Sequence, residues 1–210
     1  MRISLPVLLA FLSLAVHGQD STGLKKDTIP WTLYHTIEAR LDTVFDNDQS
    51  SRMDYESILK KYGAHSRQMD SLMGIMGDND SINQVKVIGI LDKYGWLGID
   101  EIGEKANTAL FMVIQHAGHS KQVKYLPMMR QAVKDGKAKA NQLALLEDRV
   151  LADQGKPQIY GSQVRVTKTG KYEFFPIADE RNVNKRRATV GLEPLEAYAR
   201  YFGIDYHLPK

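Results

Sequence analysis

The sequence contains no cysteine, which removes several chemistries at once. Disulfide bonds, a cysteine nucleophile and a cysteine-ligated zinc site are all excluded. A strong charge of either sign is also missing, because 28 Lys and Arg accompany 25 Asp and Glu and the formal net charge is +3. A chain so close to neutral lacks the basic surface of a nucleic-acid-binding protein. We therefore expect no nucleic-acid partner, and a fold stabilised by packing without covalent cross-links.

Long apolar runs are missing beyond the N-terminus, and the run found there is short. Arg2 precedes an almost wholly apolar stretch over residues 3–16, and Val16, His17 and Gly18 fit a small-residue cleavage site. The stretch is shorter than the roughly 20 residues that span a bilayer. We predict a signal peptide over residues 1–18 and export to the periplasm or the extracellular space after cleavage near Gly18. The alternative is a retained membrane anchor; after cleavage we expect no stable anchor.

The remaining chain, about 190 residues, is long enough for one domain with its own hydrophobic core. Residues 19–30 are polar and aperiodic, which indicates a flexible leader, and residues 31–210 are interpreted as a single helical domain. Helical periodicity is interrupted at residues 46–51 and 77–80, where we expect breaks. The predicted helices cover residues 31–46, 54–62, 66–76, 83–94, 106–116, 123–133 and 138–152, with a last helix near 195–202.

The predicted fold class is mainly α, a helical bundle with one small β-hairpin near the C-terminus. The segment 106–116 is apolar on almost every side, which is typical of the central helix of a bundle. Residues 158–167 and 171–177 alternate between polar and apolar side chains around a turn at Thr169 and Gly170, which predicts the hairpin.

A dense set of polar side chains begins the first predicted strand, at Gln158, Tyr160, Ser162 and Gln163. In an unbroken strand, Gln158, Tyr160 and Ser162 share one face, which would point toward the helices. A bulge at Gly161 would change that register. Buried polar groups need partners, so these side chains form either a binding pocket or a network of internal hydrogen bonds.

Asp148 and Arg149 lie on the preceding predicted helix. Neighbouring helical residues point about 100° apart, so the two do not mainly pair with each other. Arg149 is suited to clamping a carboxylate or phosphate, and the alternative is a structural ion pair between helices.

Gln115 and His116 lie at the end of the most apolar helix. His116 is a candidate general base, and the alternative is a core histidine whose hydrogen bonds are satisfied. His116 and His119 share a helix face, yet nothing nearby in the sequence completes a set of ligands, so we expect no metal and no cofactor. Patterns for a nucleophile elbow, a phosphate loop or a zinc protease are absent, which disfavours a serine hydrolase.

Several short pieces, taken together, resemble an uncharacterised bacterial family, a domain of unknown function. The resemblance covers residues 81–192, and Gln-x-Tyr-Gly-Ser-Gln at 158–163 is its most specific piece. The chain departs from the family at Leu97, where Pro is common, and at Gly118, where an acid is common. The resemblance implies positions for a site and no particular activity. The other pieces are Asn83-Gln84, Tyr94-Gly95-Trp96, Gln115-His116-Ala117, Asp148-Arg149, Arg186-Arg187 and Gly191-Leu192.

Three functional hypotheses follow from these residues. The first is an exported binding or interaction domain whose polar pocket takes a small anionic or peptide-like ligand. The second is a hydrolase-like enzyme with His116 as base and Asp148 as the group that orients it. The third is a purely structural polar network. Oligomeric state is left open. The first hypothesis assigns ligand binding to Gln115, Arg149, Gln158, Tyr160, Gln163 and Arg187.

Overall fold

The computed structural model describes residues 30–167 and 170–209. The predicted signal peptide and nearly all of the predicted leader lie outside these residues. The described chain is mainly helical with one small antiparallel hairpin near the C-terminus, which confirms the predicted fold class. Within the described residues no helix has the length and apolar character needed to cross a membrane.

The elements follow one another with short connections. Helices α1 and α2 precede the longest helix, α3, and helices α4 to α6 complete the bundle before the hairpin. Two short helices follow the hairpin. The bounds are α1 Trp31–Met53, α2 Tyr55–Tyr62, α3 Arg67–Tyr94, α4 Ile99–His116, α5 His119–Lys134, α6 Ala140–Asp153, β1 Val164–Val166, β2 Tyr172–Phe174, a 3-10 turn Glu180–Asn182, α7 Val183–Thr189 and α8 Leu195–Arg200.

Helix α4 lies at the centre of the core, as its apolar sequence predicts. Residues 106–115 are all buried, and α1 packs along α4 through Ile37, Leu41 and Val44. Each fully buried side chain of this size stabilises the fold by about 1.5–3 kcal/mol. A smaller apolar cluster joins α2 to the first half of α3, through Tyr55, Met69, Leu72 and Met76.

Helix α1 does not break at residues 46–51, and the predicted break is wrong. The segment contains neither glycine nor proline, and the buried face simply continues from Val44 to Asp48, Ser51 and Arg52. These residues follow at helical spacing, so the stripe that begins as apolar becomes polar in its last two turns. The polarity marks the place where α1 meets partners that can bond to it.

Helix α3 likewise runs without interruption through Gly77 and Asp80, where a break was predicted. A glycine inside a helix costs about 1 kcal/mol relative to alanine, which the packing of the flanking turns offsets. Ser66 caps the N-terminus, since its Oγ accepts a hydrogen bond from the Met69 N–H at 3.1 Å. Met76 and Asn83 are both buried on one face of α3, and Asp80 lies in the helical turn between them.

The hairpin is shorter than predicted. Val164 pairs with Phe174 and Val166 with Tyr172, so each strand has three residues. Residues 158–163 precede the ladder and form a loop, anchored by one bridge from Gln158 to Ile177. The alternation expected for a strand therefore does not apply to the polar side chains of that loop.

Candidate functional site

The residues singled out from the sequence fall into two separate clusters. Gln115 and His116 end helix α4, whereas Asp148 and Arg149 lie on α6 next to the 158–163 loop and Arg187 of α7. We call the first group the His116 cluster and the second the Asp148 network. The hydrogen bonds differ in kind: side chains pair with side chains in the first, and mostly with the backbone in the second.

Asp148 is the centre of its network. Its buried carboxylate accepts hydrogen bonds from the backbone N–H groups of Ile159 at 2.6 Å, Tyr160 at 3.0 Å and Ser162 at 2.9 Å. Burial raises the pKa of this carboxyl group, and the three amides oppose the increase. The loop winds around the carboxylate because Gly161 adopts a φ of 71°, a left-handed conformation that side chains disfavour.

The two glutamines of the loop bond to the protein itself. Gln158 Nε2 donates to the carbonyls of Gln163 at 3.0 Å and Phe175 at 2.9 Å, and Gln158 Oε1 accepts from the Gln163 N–H at 2.8 Å. Gln163 Nε2 donates to Ser162 Oγ at 2.8 Å. The amides that the sequence offered as ligand-binding groups therefore stabilise the loop conformation.

Arg187 ties the loop to the C-terminal helices. Its guanidinium is buried and donates to the Tyr160 carbonyl at 2.7 Å and the Glu193 carbonyl at 2.5 Å, and it stacks on the Tyr198 ring. Burial lowers the pKa of Arg149, with Asp153 acting in the opposite direction.

His116 pairs with a residue that the sequence did not suggest. Its Nδ1 lies 2.9 Å from Oδ1 of Asp48 on α1, whereas the partner expected from the sequence, Asp148, is bonded to loop amides. Asp48 also binds Arg52 Nη1 at 3.1 Å and accepts from Gln49 Nε2 at 2.7 Å. Nη2 of Arg52 in turn donates to both carboxylate oxygens of Asp80, at 2.8 and 3.0 Å.

Three helices bring the His116 cluster together. Helix α1 supplies Asp48 and Arg52 one turn apart, α3 supplies Asp80, and α4 ends at His116. The α1–α3 pairing is held beside the cluster by Asn83 Nδ2, which donates to the Val44 carbonyl at 3.3 Å. The turn after His116 is held by Gln122 Nε2, which donates to the carbonyls of Gln115 and Ala117.

The cluster lies at the edge of the bundle. The side chain of Asp48 is 1% exposed and that of His116 is 7%, but that of Asp80 is 21% exposed, and residues 118–120 are exposed. Burial acts to raise the pKa of Asp48, yet the pKa is lowered because His116, Arg52 and Gln49 all stabilise the ionised form.

Asp48 and Asp80 were missed because they lie inside the two predicted breaks, and Arg52 was missed because it directly follows the first break. The signal that locates them is the continuing helical period: Asp48 is four residues after Val44, and Asp80 is four after Met76. Gln115 belongs to the His116 cluster and not to the Asp148 network. Its side chain is buried, and neither amide atom has a hydrogen-bond partner among the described residues.

Comparison with known protein families assigns the chain to a family whose function is unknown. A family of unknown function, DUF6624, matches residues 42–209. The chain therefore belongs to this family of unknown function. The match begins before Asp48 and includes both clusters, so it extends beyond the residues 81–192 that carry the resemblance. No curated protein and no solved structure matches the chain.

Proposed function

We propose that this chain is an exported, hydrolase-like enzyme in which His116 is the general base and Asp48 orients it. The observation that carries the proposal is the 2.9 Å contact between His116 Nδ1 and the buried Asp48 carboxylate. The pKa of Asp48 is lowered, so the carboxylate is ionised near neutral pH and only accepts hydrogen bonds. Nδ1 of His116 therefore donates the shared hydrogen bond, which assigns the role of base to Nε2.

Arg52 supports this arrangement as a positioning residue. It holds the Asp48 carboxylate and the Asp80 carboxylate at once, so both acids keep a fixed place relative to the imidazole. An oriented base of this kind removes a proton from water or from a substrate hydroxyl, and such catalysis contributes about 10²–10⁴-fold to a rate.

The binding hypothesis, with its pocket for a small anionic or peptide-like ligand, receives less support. Gln158, Gln163 and Arg187 direct their polar atoms to backbone partners, which leaves few groups for a ligand. The two carboxylates of the His116 cluster also disfavour an anion there. A neutral or cationic substrate suits the enzyme hypothesis better.

The dyad is tested first without any substrate. Long-range ¹H–¹⁵N NMR spectra report which ring nitrogen of a histidine carries the proton. We expect neutral His116 to be protonated on Nδ1 in the wild type, and Asp48→Asn to lose this preference. His119, whose side chain is 41% exposed, is the internal control. A proton on Nε2 of His116 in the wild type would overturn the proposal.

Activity is then measured on p-nitrophenyl acetate, an amino-acid p-nitroanilide and p-nitrophenyl phosphate. We expect His116→Gln to lower kcat by about 10²-fold or more on any compound that the wild type hydrolyses, and Asp48→Asn to shift the pH profile. His119→Gln is the matched control and should leave the rate unchanged. Equal rates for wild type and His116→Gln would contradict the proposal.

Export is tested by sequencing the N-terminus of protein recovered from the periplasm or the medium, where a start at residue 19 is expected.

A further inference from the structure

We infer that Asp48, Asp80 and His116 also form a binding site for a divalent transition-metal ion such as Zn²⁺ or Mn²⁺. One ligand atom from each residue, two carboxylate oxygens and a ring nitrogen, lies within 4.8 Å of the other two. This inference goes beyond the proposed acid–base function, because the ion would occupy the groups on which that function depends.

The spacing is close to that of a coordinated set. Donor atoms bound to one ion at about 2.0–2.2 Å lie about 3–4 Å from each other. The Nδ1 of His116 and Oδ1 of Asp48 are already 2.9 Å apart. Asp80 approaches from a third helix, so a shift of its side chain within the present fold brings its oxygen to the same ion.

The chemistry of the donors selects the kind of ion. Imidazole suits Zn²⁺ and other transition metals, and carboxylates suit Mn²⁺ as well. Ca²⁺ takes oxygen ligands only and six to eight of them, which this set does not supply. Two of the three donors are carboxylate oxygens, which favours a cation in either case.

A second observation is an unsatisfied polar atom one helical turn from Asp80. Asn83 is fully buried, and its Oδ1 has no hydrogen-bond partner among the described residues. Asn83 follows Asp80 by three residues on the same face of α3, and its Nδ2 donates to the Val44 carbonyl, four residues before Asp48. This unpartnered oxygen therefore belongs to a residue one helical turn from Asp80, packed against the turn of α1 that precedes Asp48.

Arg52 is the cation that the ion must replace. Its guanidinium binds both Asp48 and Asp80, and the ring proton on His116 Nδ1 must also be lost before that nitrogen can coordinate. Metal binding and the His116–Asp48 hydrogen bond are therefore mutually exclusive. The ion is expected to inhibit the proposed activity rather than to support it.

The test uses the full mature chain, first stripped with EDTA and then titrated with ZnCl₂, MnCl₂ or CaCl₂ by calorimetry. We expect one Zn²⁺ or Mn²⁺ per chain, no comparable binding of Ca²⁺, and affinity at least about tenfold weaker in Asp80→Asn. The matched control is Asp92→Asn on the same helix, whose exposed carboxylate bonds to Lys124 and Tyr125 and should leave affinity unchanged. Absence of binding to the wild type overturns the inference.

Two further variants separate this site from other sources of binding. Another pair of candidate ligands is His119 and Asp153, 3.7 Å apart at the surface, so binding lost in His119→Gln but retained in Asp80→Asn overturns the inference. Arg52→Gln removes the competing cation, so we expect a lower Tm in EDTA and a larger rise in Tm on addition of Zn²⁺ than in the wild type. Equal rises in both would show that Arg52 and the ion do not compete, which also contradicts it. The NMR test of the His116–Asp48 hydrogen bond is run in EDTA, which removes any bound metal ion. The proposed enzyme function and the proposed metal site can therefore fail independently of each other.

Discussion

The imidazole of His116 and the carboxylate of Asp48 meet at 2.9 Å although 68 positions separate them in the chain. The contact joins the end of the central helix α4 to the polar end of α1, and Arg52 extends it to Asp80 on α3. Three helices of the bundle therefore share one charged junction. Replacing a buried ion pair by apolar side chains is often neutral for stability, but removing one partner costs about 3–5 kcal/mol.

The first prediction concerns Asp48 and acid. Its pKa is lowered in the folded protein, so its ionised form stabilises the fold above the ordinary carboxyl pKa, and this stabilisation is lost as the pH falls through the lower, folded value. Asp48→Asn should be destabilised near neutral pH by about 3–5 kcal/mol and should lose less stability than the wild type on acidification. Urea unfolding between about pH 7 and pH 2 measures both effects.

The exposed Asp54, just after α1, provides the control for that series. Asp54→Asn should follow the wild-type pH dependence closely. Parallel curves for Asp48→Asn and the wild type would show that the folded-state pKa of Asp48 is not lowered.

The second prediction concerns Asp148, the acceptor of the loop amides. In Asp148→Asn an N–H₂ group replaces one oxygen, so at least one backbone N–H of residues 159–162 meets another donor. Hydrogen bonds to a charged acceptor contribute about 1.5–3 kcal/mol each, and we expect a loss of about 3 kcal/mol in the free energy of unfolding. Glu147→Gln is the control on the same helix. It breaks only the partly exposed ion pair with Arg130 and should cost less than about 1 kcal/mol.

The third prediction concerns the shape of the same loop. A Cβ at Gly161 would lie 2.9 Å from Ile177 Cδ1 and 3.1 Å from the methyl groups of Leu195, at a φ of 71°. Gly161→Ala should therefore destabilise the protein by about 2–4 kcal/mol, from backbone strain and overpacking together. Gly155, at the end of α6, has a φ of 70° and open space around it, so Gly155→Ala isolates the strain, about 1 kcal/mol. Equal losses in the two variants, measured by thermal unfolding, would rule out the steric contribution.

The positions of the helices could be predicted from the sequence better than the contacts between them. Periodicity locates the apolar stripes of α1 and α3 and the central position of α4, because these depend on local spacing. It fails at Asp48 and Asp80, since a polar residue in a buried stripe looks like a break until its partner is known. That partner comes from another helix, and the packing that selects it is not encoded in local spacing.

The 158–163 loop shows a second feature that the sequence predicts only in part. Gln158, Ser162 and Gln163 are recognisable from the sequence as a set that needs partners. A strand was predicted because their spacing alternates, whereas one carboxylate on α6 draws three amides inward and turns the chain at Gly161. The position of the polar group could be predicted, and its dependence on Asp148 could not.

The fourth prediction compares two tyrosines of the Asp148 network. Tyr198 donates its hydroxyl to the Ser162 carbonyl at 3.0 Å, whereas Tyr160 bonds through its backbone N–H and carbonyl, and its hydroxyl has no partner among the described residues. Tyr198→Phe should lower the free energy of unfolding by about 1 kcal/mol, and Tyr160→Phe should change it by less than about 0.5 kcal/mol. Burial also raises the pKa of Tyr198 to about 12. The pKa of Tyr206 is raised as well, by burial and by its hydrogen bond to Glu180, so ultraviolet titration of Tyr198→Phe should show one late-ionising tyrosine fewer than the wild type, with Tyr206 remaining. A larger loss in Tyr160→Phe than in Tyr198→Phe would mean that the loop is held by the Tyr160 hydroxyl and not by the contact from α8.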